Sequence, residues 1–279
     1  MTQELYSRFP KDDDLLREFR NRALTELRKT PDLFYKYDVC KFERDDLYAH
    51  RFLGHQFFLK EDKKTLLDRA VKMVIKSFKW RKQFGVQNIK HQDLPDEYFD
   101  RKSCIRLKED KLGRQVVVIK VNTLRKTKSG ERPIGEKFLI YWVENIFQTN
   151  ENGITVIIDC SDATLNNVNM DLVDFARAIL KKYYPAYLGY FLVFKFPKIF
   201  EAVWDVIKKL LPQAGIDRVK FVDKKGMLEY IDEDKLPECY GGTDQSEFKY
   251  HESLKDTDVL FREKIEEQLA QGVTSLSLG

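Results

Sequence analysis

Between residues 115 and 222 the chain alternates short runs rich in β-branched residues with helical patterns about a dozen residues long. That order permits few folds. The runs 115–121 (QVVVIKV), 154–159 (ITVIID), 190–196 and 219–222 read as strands, and 136–148, 171–182 and 200–211 read as the helices between them. Strands joined by helices at this spacing form crossover units, so the fold class is α/β with a mainly parallel sheet. The 154–159 run is apolar on both sides of its alternation, as a strand covered on both faces must be. A further strand at 103–107 meets the 115–121 strand through D-K-L-G-R, a hairpin turn with Gly113 at its tight position.

The first hundred residues follow another period. Leu15, Leu16, Phe19, Ala23, Leu24 and Leu27 recur at helical spacing, a second helix is expected at 45–52, and a third starts near Asp62. The third carries Leu66, Leu67, Ala70, Val71, Val74, Ile75 and Phe78 on one face and ends at Gly85, a fitting cap. The expected organisation is a helical subdomain over 15–100, an α/β lobe over 101–245 and a partly disordered extension over 246–279. Residues 123–135 read as a basic exposed loop that includes Arg125, Lys126, Lys128 and Arg132.

Composition narrows the function. With 49 Lys and Arg against 45 Asp and Glu the net charge is +4, too slight for a nucleic-acid binder. Four scattered cysteines, Cys40, Cys104, Cys160 and Cys239, show no metal spacing and read as reduced thiols of a cytosolic protein. His50, His55, His91 and His251 form no ligand pair, and no G-x-S-x-G, P-loop or G-x-G-x-x-G occurs. Asp159 and Asp162 end a strand, where α/β enzymes often hold catalytic groups, but a turn or cap is the simpler role. No catalytic residue, metal or cofactor is expected; the chain is not read as an enzyme.

The helix 200–211 is the strongest pointer to function. Phe200, Val203, Trp204, Ile207, Leu210 and Leu211 share one side, while Asp205, Lys208 and Lys209 fall on the other. Such a helix covers an apolar surface or lies in a membrane interface equally well.

Five motifs occur in a telling order: W-R-K at 80–82, D-K-x-G-R at 110–114, Y-Y-P-x-x-L-G at 183–189, F-P-x-x-F-x-x-x-W-x-x-I-K-x-x-L at 196–211 and L-P-x-x-Y-G-G at 236–242. Together they resemble the CRAL-TRIO lipid-binding family, which includes secretory-pathway phosphatidylinositol and phosphatidylcholine transfer proteins. Within it the pattern is most similar to members that carry a motile-sperm-type domain and a membrane anchor after this region, which implies a shortened form of a longer chain. The resemblance implies a sheet flooring a hydrophobic pocket for one lipid, closed by a mobile gate helix at Phe200, Val203, Trp204, Ile207 and Leu211. Strand and helix phase then suggest Val118, Tyr141, Ile158, Phe175, Ile179, Tyr184, Phe191, Val193, Phe196 and Trp204 for the pocket, and Lys208, Lys209 and Arg218 for headgroup or membrane contact.

Three motifs depart from the phosphoinositide-binding pattern. Ala186 stands where those members have Glu, and Gly215 and Arg218 stand where they have a Thr-x-x-Lys pair. The Arg-Phe-Leu run at 51–53 is followed by Gly54, His55 and Gln56 in place of further arginines. Another lipid or hydrophobic ligand is therefore expected. The implied protein is a monomeric lipid carrier, cytoplasmic and peripheral at endomembranes such as the endoplasmic reticulum. The alternative is a membrane-recruitment or protein-interaction module that keeps the fold without shuttling lipid.

Overall fold

A computed structural model describes residues 13–57, 62–124, 132–149, 153–185, 188–245 and 267. Ala186, Arg125, Lys126, Lys128 and nearly all of the C-terminal extension lie outside the described residues.

Among the described residues four helices come first: α1 (Asp13–Arg28), α2 (Lys36–Arg44), α3 (Asp46–Phe57) and α4 (Lys63–Phe84). Helix α4 starts and stops where the sequence says. Asp62 accepts from the backbone N–H of Lys64 and Thr65, and Gly85 closes the end at φ 77°, a conformation that favours glycine. Helix α2 was not expected, because its buried face includes the charged Asp38 beside Tyr37 and Phe42. A short α5 (Asp96–Asp100) leads into the lobe.

Among the described residues the sheet has five strands in the order β1 (Cys104–Glu109), β2 (Gln115–Lys120), β3 (Ile154–Asp159), β4 (Leu188–Phe194) and β5 (Val219–Val222). Strand β1 is antiparallel to β2 and the rest are parallel, as the alternation predicts. Helices α6 (Arg132–Thr149), α7 (Met170–Lys182) and α8 (Glu201–Leu210) make the crossovers. Since the strand order is sequential and such crossovers are right-handed, all three lie on one face. Helix α6 begins at Arg132 rather than 136, because Pro133 fits a first helical turn. Arg132 belongs to this helix, pairing with Glu136 at 2.8 Å, and not to a loop.

A short α9 (Gln213–Ile216) leads into β5, and the other face is covered by the chain after β5, where α10 (Lys224–Met227) precedes the turns at Glu233–Lys235 and Glu238–Tyr240. Met227, Ile231, Leu236 and Tyr240 from this segment join the same buried core as Phe19, Phe42 and Phe78 of the N-terminal helices. One continuous core therefore runs through helices and lobe.

Candidate functional site

Strand register separates two unlike sheet faces. On the face under the C-terminal segment, Val116, Val118, Thr155, Ile157, Leu192 and Phe194 are all 0–1% exposed. On the helix-side face, Ile119, Ile158, Phe191 and Val219 are only half-buried, and Phe221 is 48% exposed. Val117 and Val156 at the start of that second face are covered. The uncovered part is therefore apolar, and it widens toward β5.

Helix α8 lies across this region without closing it. Phe200 is buried with Val193, and Ile158, Phe196 and Val219 pack around them. The Trp204 ring meets Phe221 edge-on at 5.3 Å, and Phe196 meets Phe221 at 4.9 Å. Beyond Phe200, Val203, Trp204, Ile207 and Leu211 are half-buried, and α8 has no buried residue of its own. Ile199, Val206 and Leu210 form an exposed flank, with Lys208 and Lys209 also in solvent. The apolar arc of α8 is thus wider than the sheet can cover.

The expected pocket residues divide accordingly. Ile158, Phe191, Val193, Phe196 and Trp204 converge on the half-open face. Val118 projects from the opposite face, paired with Ile105 and Ile157 in the dry core. Phe175 packs on Phe84 of α4 at 6.0 Å, and Ile179 is buried in the main core. Tyr141 lies against His91 and Phe99.

Tyr184 has polar business. Its hydroxyl donates to Glu144 at 2.5 Å, inside a buried cluster missed by sequence reasoning. There the Arg81 guanidinium donates to Asp38 at 2.7 and 3.0 Å and to Glu144 at 2.6 and 2.9 Å. Two carboxylates hold Arg81 charged well above even its ordinary range, against the cost of burial. The available signal was Glu144 itself, the one carboxylate within the nearly all-apolar run 138–147.

Each remaining motif has a structural duty. In D-K-x-G-R, Asp110 accepts from the Arg114 backbone and Nε at 3.0 and 2.7 Å and from the Thr155 hydroxyl at 2.7 Å, while Gly113 turns at φ 70°. Arg114 then crosses beneath Gly189 of Y-Y-P-x-x-L-G and lies 4.5 Å over the Tyr190 ring. In L-P-x-x-Y-G-G, the Tyr240 hydroxyl donates to Asp159 at 2.8 Å and its ring meets Phe194 edge-on. Asp159 also accepts from the Ser161 backbone at 2.9 Å, the turn role expected of it.

The three expected headgroup residues do not converge. Lys208 and Lys209 are exposed on α8, whereas Arg218 turns inward and donates to the Leu188 carbonyl at 2.7 Å. Arg218 shares its surroundings with His55, whose pKa is lowered by burial and then by that guanidinium. Burial pushes the Cys160 thiol up to about 12, so it is no thiolate nucleophile. Among the described residues no cluster of His, Cys, Asp and Glu could hold a metal, and no helix is long and apolar enough to cross a membrane.

Residues 100–242 match the CRAL/TRIO domain. The chain belongs to that family. It is 28% identical over 208 residues to a CRAL-TRIO domain-containing protein of Schizosaccharomyces pombe, covering 70% of this chain and 46% of that one. A second such protein is 58% covered, so the chain spans about half the length of these two relatives. The Sec14 cytosolic factor of S. pombe is 26% identical over 227 residues, 72% of this chain and 76% of its own. A phosphatidylinositol/phosphatidylcholine transfer protein of Arabidopsis thaliana is 26% identical over 254 residues, 82% and 42% of the two chains. The crystal structure of Sfh5 superposes with a TM-score of 0.65 at 15% identity, covering 93% of this chain and all of that one. The last likeness establishes the shared fold.

Proposed function

We propose that this CRAL/TRIO chain binds the hydrocarbon part of a lipid against the half-open sheet face and exchanges it at a membrane by movement of α8. The carrying observation is the contrast between the two faces: one dry, the other apolar yet incompletely covered around Ile158, Phe191, Val219 and Phe221. Exposed apolar surface of this kind marks a binding site. The names of the Sec14 and phosphatidylinositol/phosphatidylcholine relatives point to the same ligand class.

Ile158, Phe191, Val193, Phe196 and Trp204 would contact the chain, with α8 as the gate. Burying an acyl chain of ~16 carbons is worth roughly 13 kcal/mol at about 0.8 kcal/mol per CH₂. A bilayer offers nearly the same, so exchange needs access, not chemistry, and no catalytic group or cofactor is required. The flank of Ile199, Val206 and Leu210, with Lys208 and Lys209 nearby, supports peripheral contact with an anionic surface. Arg218 and His55 would face the polar end of the ligand.

Val206→Asp tests the membrane part. Val206 is 49% exposed, so thermal stability is expected to hold while binding to phosphatidylcholine–phosphatidylserine vesicles falls about tenfold, the effect of one apolar anchor replaced by a charge. Unchanged vesicle binding would remove α8 from the membrane contact.

A further inference from the structure

If α8 is the moving part, something must keep the neighbouring wall still. The two helices are held very differently. Helix α7 and the residue following it are fixed by three contacts with α4: Trp80 stacks on Tyr183 at 4.2 Å and 3°, Ser77 Oγ donates to the Tyr183 carbonyl at 2.7 Å, and Phe84 packs on Phe175 of α7 itself. The next residue, Tyr184, donates to Glu144, which with Asp38 clasps Arg81. Asp38 comes from α2, Arg81 from α4 and Glu144 from α6, so one cluster ties three helices to the entrance of β4. Among the described residues helix α8 has no such tie: its residues are half-buried or exposed and its first neighbour in the core is Phe200.

We infer that the Asp38–Arg81–Glu144–Tyr184 cluster is a strut by which the N-terminal helices hold the carboxyl end of α7, making α7 the fixed wall and α8 the movable one. Tyr184 is then a positioning residue rather than a pocket contact. A role of this kind gives W-R-K and Y-Y-P a common purpose, since Trp80 and Arg81 hold Tyr183 and Tyr184. The inference rests on the lipid-exchange reading for its consequence, but the mechanical claim is separable from it.

Amide hydrogen exchange on the full chain tests both. Phosphatidylcholine–phosphatidylserine vesicles are expected to change exchange across 201–210 and leave 179–184 protected. Acceleration of 179–184 together with 201–210 would overturn the fixed-wall assignment. Without vesicles, Tyr184→Phe is expected to stay folded and to speed exchange at 179–184 about tenfold, as loss of one hydrogen bond to a charged group implies, with 201–210 unchanged. A folded Tyr184→Phe protein with wild-type exchange at 179–184 would overturn the strut. Vesicles that leave 201–210 unaltered would instead sink the movement of α8, and with it the lipid-exchange reading, while the Tyr184→Phe comparison still decides the strut.

Discussion

Arg81→Ala is expected to destabilise the protein by about 3–5 kcal/mol, the usual result of removing one partner from a buried ion cluster. The side chain is 1% exposed and carries hydrogen bonds to two carboxylates. Without it Asp38 and Glu144 face each other across a dry gap. For a chain of this size the melting temperature should fall by about 10 °C, read by differential scanning calorimetry. Arg81→Lys keeps the charge but cannot reproduce the planar, two-sided geometry, so it should fall between the two. A melting temperature for Arg81→Ala within about 2 °C of wild type would show that the cluster contributes little.

The second large effect is expected at the glycine turn. A Cβ on Gly242 would overlap the Leu236 carbonyl oxygen and sit 2.5 Å from that of Glu233. Both are backbone atoms held in place, because Thr243 N–H donates to Glu233 and Asp244 N–H to Leu236. Neither can move without breaking the turn that seats Tyr240 on Asp159. Gly242→Ala should therefore cost about 3 kcal/mol or more, at the upper end for overpacking, and chemical denaturation should show it. Gly135→Ala supplies the contrast, since nothing lies within 4 Å of its added methyl. Equal denaturation midpoints for the two variants would contradict the packing described.

Much of the fold was legible because its signals are local. The β3 and β5 runs match the strands residue for residue, and Asp62 and Gly85 mark both ends of α4. Helix α2 was hidden because its inward face includes Asp38, and hydropathy counts a carboxylate as surface. Arg81 was hidden for the same reason. The site was legible as a class of surface but not residue by residue. A strand such as Val116, Val117, Val118 and Ile119 is apolar at every position, so nothing in it says that Val118 faces away from Ile158. Phe175 has the periodicity of an inward residue, yet only the packing of α4 shows that its partner is Phe84. Likewise the lysines near 208 and Arg218 are close in sequence, but the turn after α8 sends Arg218 inward to Leu188.

The central claim is that the half-open face holds a lipid, and native mass spectrometry after incubation with mixed phospholipid vesicles tests it most directly. The expected spectrum shows a population heavier by the mass of one lipid, diminished when Phe191 is replaced by Asp in a protein that still folds. A spectrum of bare protein alone, from a chain that nonetheless sediments with the vesicles, would contradict lipid carriage and favour a module that recruits to membranes without loading.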